Sequence, residues 1–260
     1  MLKLAVNLSM IFTEVPLLER FALAAQHGFK HIEIQFPYEL SIATIQEKLE
    51  QYQLDLCLIN VPAGDLMQHG NGLACIPSRQ AKFKQAVELA LSYATALNVK
   101  SINILAGKQP HDLDREVCVE TFVHNLKYAV KACEQAQIQP VFEMINGNDM
   151  PHFLIQKIAQ AQQILKKVNH PLLKMQFDCY HMAKMQENVL LQLQKNIEKI
   201  GHIQFADYPN RHEPDTGHID FEAIFTWLSQ SEYANYVAAE YRPKQSSCHS
   251  FAWKSKYFTI

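Results

Sequence analysis

The chain has 260 residues, 48% hydrophobic, 19% charged and 10% aromatic, a composition that excludes a disordered or fibrous polypeptide. Its 24 Lys and Arg against 26 Asp and Glu give a formal charge of −2, so there is no basic excess for a phosphate backbone and no nucleic-acid partner is expected. No uncharged apolar run reaches the roughly 18 residues of a bilayer span, and Asn7 and Ser9 interrupt the apolar start, so neither a membrane span nor a signal peptide is expected.

Eight short β-type runs follow one another: 4–7, 31–35, 55–60, 100–105, 140–143, 173–178, 202–206 and 236–240. About one run per 32 residues suits a βα unit and is too sparse for a β-sandwich. Between the first two, Leu17, Leu18, Phe21, Ala22 and Ala25 form a helical face after Thr13, a candidate N-cap, and Gly28 follows as a C-cap. Between the fourth and fifth, Val119, Phe122, Val123, Leu126, Ala129, Val130 and Cys133 repeat at helical spacing; Val189, Leu193, Ile197 and Ile200 do so before Gly201, read as a second C-cap. Pro37, Pro62, Pro209 and Pro243, with Gly64, Gly107 and Gly147, punctuate the strand ends. No linker divides the chain, so residues 1–260 are read as a single α/β domain, a closed (β/α)8 TIM barrel with its active site at the C-terminal end of the strands. An open doubly wound sheet is the competitor, but its glycine-rich phosphate signatures are missing, and no nucleotide cofactor is expected. The aromatic tail, 248–260, with Phe251, Trp253, Tyr257 and Phe258, is expected to cover the chain's own core, closing the barrel bottom, in preference to packing on a partner subunit of a homo-oligomer. Six widely spaced cysteines without a C-x-x-C pair read as reduced thiols of a cytoplasmic protein.

Alternate residues of a strand point to opposite faces. In the last four runs Phe142, Met175, Phe177, Ile203, Phe205, Val237 and Ala239 take one face; Glu143, Gln176, Asp178, His202, Gln204, Ala238 and Glu240 take the other. The apolar set suits the helix-covered face, so the polar set faces the barrel axis, with Glu143, Asp178 and Glu240 at strand ends, where barrel enzymes build their sites. Three converging carboxylates repel one another and lose hydration unless a positive charge compensates. A metal ion is the simplest remedy, and oxygen donors without cysteine favour Mg²⁺ or Mn²⁺. Ion pairs with Lys174, Arg242 or Lys244 are the alternative.

The segments EMINGNDMP (143–151), FDCYHM (177–182), HIQFADYPNRHEPDTGHID (202–220) and AEYRP (239–243) resemble those of hydroxypyruvate isomerases, as do NLSM (7–10), PAGD (62–65) and LACIPSR (73–79). The resemblance runs over nearly the whole chain and implies a xylose-isomerase-like barrel. It implies that Glu143, Asp178, Gln204 and Glu240 hold one divalent metal and that Glu143 and Glu240 are the catalytic proton-transfer residues of an aldose–ketose isomerase. Related epimerases carry a histidine where Gln204 stands; an amide oxygen is harder and leans toward Mg²⁺ or Mn²⁺. The implied substrate is a small hydroxy-keto acid, hydroxypyruvate, with 2-oxo-tetronate isomerisation and ketose 3-epimerisation as alternatives on the same site. A metal-dependent endonuclease lacks support from the charge and from the absence of the histidine-rich set that a trinuclear zinc site requires, and an inactive binding protein would not need both glutamates.

Among further candidates, His181 either hydrogen-bonds a substrate oxygen or orients a ligand, unless it merely bonds to backbone at a helix start. A substrate carboxylate needs a cation, for which Lys108 and Arg211 are candidates, with Arg242 and Lys244 behind them. Asn7, Glu33, Gln35 and Asn60 end the earlier strands on the polar parity and either line the same pocket or bond to loops.

Overall fold

A computed structural model describes residues 2–258; Met1, Thr259 and Ile260 lie outside the described residues. Eight parallel strands close a barrel in chain order: β1 (Lys3–Asn7), β2 (His31–Ile34), β3 (Asp55–Asn60), β4 (Ser101–Ile104), β5 (Gln139–Glu143), β6 (Lys174–Asp178), β7 (Ile200–Phe205) and β8 (Tyr236–Ala239), the last pairing back onto β1. The helices between them are α1 (Leu17–Gln26), α2 (Ile42–Tyr52), α3 (Gln80–Ala96), α4 (Arg115–Ala136), α5 (Ile158–Val168), α6 (Cys179–Lys184), α7 (Val189–Asn196) and α8 (Phe221–Gln230), with α9 (Ala252–Tyr257) after the last strand. This is the (β/α)8 barrel that the alternation of strand and helix predicts.

The parity of the strands becomes two layers inside the barrel. Ala5, Cys57, Leu58, Val141 and Ala238 pack together as a separate apolar cluster, a floor two residues below the polar ends of β1, β5 and β8. Above it the inward side chains are Asn7, Glu33, Asn103, Glu143, Gln176, Asp178, His202, Gln204 and Glu240, all buried. The outward face, Phe142, Met175, Phe177, Ile203, Phe205 and Val237, is buried under the helices in the main core. Burying such side chains stabilises by about 1.5–3 kcal/mol each, and this ring holds the polar layer in place.

Two local expectations change. Helix α1 starts at Leu17 after Pro16, not at a Thr13 cap, because proline sets the helix entry and leaves 8–15 as turns. Gly28 does adopt a left-handed φ of 71° after α1, but Gly201 lies inside β7, where a Cβ would come within 2.8 Å of Lys174 Cβ and 2.9 Å of Val141 Cγ1. The tail covers the chain's own core, against β7, the turns after β1 and α8. Trp253 is 2% exposed and sits edge-on to Phe205 at 5.1 Å, Phe251 lies 5.5 Å from Phe12, and Phe258 lies 4.9 Å from Phe225 of α8. All six cysteines are free thiols, and no helix among the described residues is long and apolar enough to cross a membrane.

The loop after β7 is braced by one buried carboxylate: Asp207 accepts from the backbone N–H groups of Thr216 (3.0 Å), Gly217 (2.8 Å) and Ile219 (3.1 Å). A Cβ at residue 217 would lie 1.9 Å from the Tyr208 carbonyl oxygen. Gly217→Ala is therefore expected to destabilise the fold by about 1–3 kcal/mol, read by thermal unfolding, and to displace the turn that carries Arg211. A variant with parental stability and activity would show that the turn relaxes freely.

Candidate active site

The C-terminal mouth of the barrel opens into a cavity of about 690 Å³, within the range of ligand sites, whose lining includes Gln35, Lys108, Glu143, His181, Arg211 and Glu240. Glu143 comes from the end of β5, Asp178 from β6 and Glu240 from the residue after β8. Asp178 is also the N-cap of α6, its Oδ1 accepting from Tyr180 N at 2.8 Å, so helix start and strand end fix one carboxylate between them.

Each glutamate has one oxygen anchored and one turned elsewhere. Glu143 Oε2 accepts from Asn103 Nδ2 (3.1 Å) and Gln176 Nε2 (2.9 Å), while Oε1 stands 3.7 Å from His181 Nε2. Glu240 Oε1 accepts from Asn7 Nδ2 (3.0 Å), Gln35 Nε2 (3.0 Å) and Gln204 Nε2 (3.2 Å), while Oε2 meets the Arg211 guanidinium at 2.5 Å. Arg211 also reaches Asp178 Oδ2 at 3.5 Å.

Burial raises the pKa of all three carboxyls. Glu143 stands well above its ordinary value, with Glu240 and Asp178 adding to the burial penalty; Glu240 is pushed up to about 7; Asp178 is raised with Arg211 opposing the rise. One guanidinium is the nearby positive charge for three buried carboxyls. Lys174 instead donates to the Glu198 carbonyl, the Lys244 backbone N–H donates to Glu213, and Arg242 lines the cavity; among the described residues none of the three pairs with these carboxyls.

Oxygens of Glu143 and Asp178 and a His181 ring nitrogen lie within 4.8 Å of one another, close enough for one ion. The neighbouring hydrogen bonds decide what His181 offers. Asn146 Oδ1 accepts from the backbone N–H groups of Asn148 (3.1 Å) and Asp149 (2.8 Å), so its NH₂ end faces His181 Nδ1 at 2.6 Å and donates there. The ring proton then sits on Nε2, 3.7 Å from Glu143 and 3.6 Å from Asp178. Burial, with Arg211 behind it, holds the imidazole well below its ordinary pKa, hence neutral. His181 presents an N–H donor to the cavity, which a ligand nitrogen lacks. Asn146→Asp exchanges that donor for an acceptor and reverses the tautomer; kcat is expected to fall about 10- to 100-fold in steady-state assays, and an unchanged kcat would contradict the tautomer assignment.

Of the remaining expected residues, Gln204 adjoins Glu240, and its Oε1 accepts from Gln176 Nε2 at 2.8 Å. Lys108 lines the cavity and makes no ion pair among the described residues. Asn7 is fully buried; its Nδ2 is spent on Glu33 and Glu240, and its Oδ1 accepts from Ser9 N, so it braces Glu240 without lining the cavity. Sequence reasoning missed Asn103 and Asn146. The first sits on the inward parity of β4, a signal available from Ser101 and Asn103 alternating with Ile102 and Ile104; the second lies in a loop, where no parity applies.

Comparison with known proteins adds the lineage of this site. The xylose isomerase-like TIM barrel family matches residues 21–256. The chain belongs to that family. Within the family it is 38% identical to hydroxypyruvate isomerase of Escherichia coli, over 99% of this chain and 100% of that protein. It is 36% identical to 2-oxo-tetronate isomerase of Cupriavidus necator, over 98% of each. A crystal structure titled AP endonuclease, family 2, from Brucella melitensis superposes with a TM-score of 0.95 at 35% identity over 99% of both chains. Family and full-length relatives together make the chain an enzyme of the isomerase type.

Proposed function

We propose that this enzyme is a metal-dependent aldose–ketose isomerase that interconverts hydroxypyruvate and 2-hydroxy-3-oxopropanoate (tartronate semialdehyde). The observation that carries the reading is the pair of buried glutamates at the cavity, each with one oxygen anchored by amides and the other beside a different group, His181 for Glu143 and Arg211 for Glu240. Moving a carbonyl between neighbouring carbons requires a proton to leave one carbon and return to the next through a cis-enediolate. A glutamate that also binds metal must keep one oxygen for that proton, and amide anchoring of the other keeps the two jobs apart.

The donor set fits a hard divalent cation, Mg²⁺ or Mn²⁺: Glu143, Asp178 and Glu240 would hold it with Gln204 Oε1, which Gln176 must release. Such an ion supplies positive charge where the enediolate becomes negative. Glu143 and Glu240 serve as base and acid, exchanging roles with direction. His181 Nε2–H donates to a substrate oxygen, and Arg211, already on Asp178 and Glu240, faces the reacting end. Lys108 receives the substrate carboxylate. Asn7 acts through Glu240.

A four-carbon 2-oxo-tetronate is the second reading, favoured by the Cupriavidus relative and by a cavity roomier than a three-carbon acid fills. Steady-state kcat/KM for the two acids with Mg²⁺ and with Mn²⁺ separates them: a preference of at least about tenfold, or about 1.4 kcal/mol, for hydroxypyruvate is expected, and the reverse preference assigns the longer acid. The net charge of −2 and a carboxylate cluster with one histidine favour a small acid over a nucleic-acid backbone. Free cysteines fit a reducing compartment, and we place the reaction in the cytoplasm.

A further inference from the structure

Beneath the cavity, two polar side chains are fully buried without touching it: Glu33 of β2 and His202 of β7, both 0% exposed. They are 169 residues apart and joined by a short hydrogen bond between Glu33 Oε1 and His202 Nε2. The other His202 nitrogen, Nδ1, has no partner among the described residues, so the imidazole's polar contact is with Glu33. Replacing a buried pair of this kind by apolar residues of similar volume is often neutral or stabilising, so stability alone does not explain it.

The second oxygen gives the pair its use. Glu33 Oε2 accepts from Gln204 Nε2 at 2.8 Å and from Asn7 Nδ2 at 3.0 Å. An amide end that faces a carboxylate must be its NH₂ end. Gln204 Nε2 is therefore held between Glu33 and Glu240, and Oε1 is forced to the opposite side, toward Gln176 and the Glu143 cluster. Asn7 is oriented in the same way, and both amides then donate to the same oxygen of Glu240, Oε1, leaving Oε2 to Arg211 at the cavity. The backbone is adjusted at these positions. The β2–β3 register shifts between Ile32 and Glu33, and the β6–β7 register shifts between Met175 and Gln176, directly before the Gln176–His202 pairing. Such irregularities re-aim side chains next to active sites.

We propose that Glu33, held by His202, is a positioning residue that determines which end of the Gln204 amide and which oxygen of Glu240 face the site. This rests on the function proposed above, in which those two atoms meet the metal and the substrate proton. Glu33→Gln replaces an acceptor by a group that also donates, and so frees the Gln204 amide to turn. The test measures Mn²⁺ affinity of the metal-stripped protein by titration calorimetry, alongside kcat and KM of the Mn²⁺ enzyme. Mn²⁺ affinity is expected to fall at least about tenfold and kcat about 10- to 100-fold, with KM within about threefold of the parent. His202→Leu loosens Glu33 and is expected to shift both readouts the same way by a smaller factor. His202→Gln, whose Nε2 still donates to Glu33, is expected to restore them.

A merely structural pair would lower thermal stability but leave Mn²⁺ affinity and kcat of the folded protein at parental values. That result in Glu33→Gln would overturn the proposal, as it would in His202→Leu should Glu33→Gln fail to fold. A parent that binds no Mn²⁺ and isomerises neither acid overturns the proposed function itself; a fully active parent with unaltered variants overturns the positioning role alone.

Discussion

Glu143→Gln and Glu240→Gln are each expected to lower kcat by about 10³- to 10⁴-fold, a loss of about 4–5.5 kcal/mol of transition-state stabilisation. Glutamine keeps the size of the side chain and still accepts from the anchoring amides through its oxygen, but it exchanges no proton at neutral pH. The fold should survive, since burial and mutual repulsion already disfavour ionisation of these carboxyls and an amide removes one charge from the cluster. Stopped assays in both directions with circular dichroism of each variant provide the check. The double variant should lose far less than the product of the two single losses, because the residues act as one relay. A loss below about tenfold in either single variant would remove that residue from the proton-transfer pair.

Stripping divalent metal with a chelator is expected to reduce kcat/KM by at least about 10³-fold, with recovery on adding Mg²⁺ or Mn²⁺. Oriented charge at a developing oxyanion is commonly a dominant catalytic contribution. The same titration has a stability readout. A ligand bound only by the folded state stabilises by about 2.7 kcal/mol at 100 times its Kd. For a chain of this length that corresponds to a rise in Tm of about 5–10 °C. Asp178→Asn should abolish most of that rise, because it removes a charge that only Arg211 and the α6 start otherwise stabilise. Full activity in the chelated protein would contradict the metal requirement, and an unchanged Tm would contradict binding at these carboxyls.

The barrel was legible because strand parity and helix periodicity are local properties, and eight repeats of them leave few architectures. The same parity places Glu143, Asp178, Gln204 and Glu240 on the inward face at one end of the barrel, since a period of two assigns a face to every residue of a strand. Parity could not say which oxygen or which end of an amide points inward. The orientation of Gln204 is decided by Glu33, which parity had placed only as a strand-end residue, and Glu33 is paired with a histidine 169 positions away. Asn7 illustrates the same limit: its face was predictable, but its hydrogen bonds are spent on two carboxylates before a substrate can reach it. Arg211 sits in a loop at a left-handed φ of 60°, so its contact with Glu240 depends on the Asp207 brace and not on any periodicity. The tail covers the core, and the surface it covers depends on how α8 and α1 are spaced around the barrel.

The most direct measurement is proton NMR in D₂O, with the Mg²⁺- or Mn²⁺-loaded enzyme supplied with hydroxypyruvate. Isomerisation through a two-glutamate relay predicts metal-dependent appearance of 2-hydroxy-3-oxopropanoate carrying solvent deuterium at C2, with loss of C3 proton signal from the remaining hydroxypyruvate. Both should vanish in Glu143→Gln and Glu240→Gln. Interconversion without deuterium uptake, or none with either hydroxypyruvate or 2-oxo-tetronate, would contradict it.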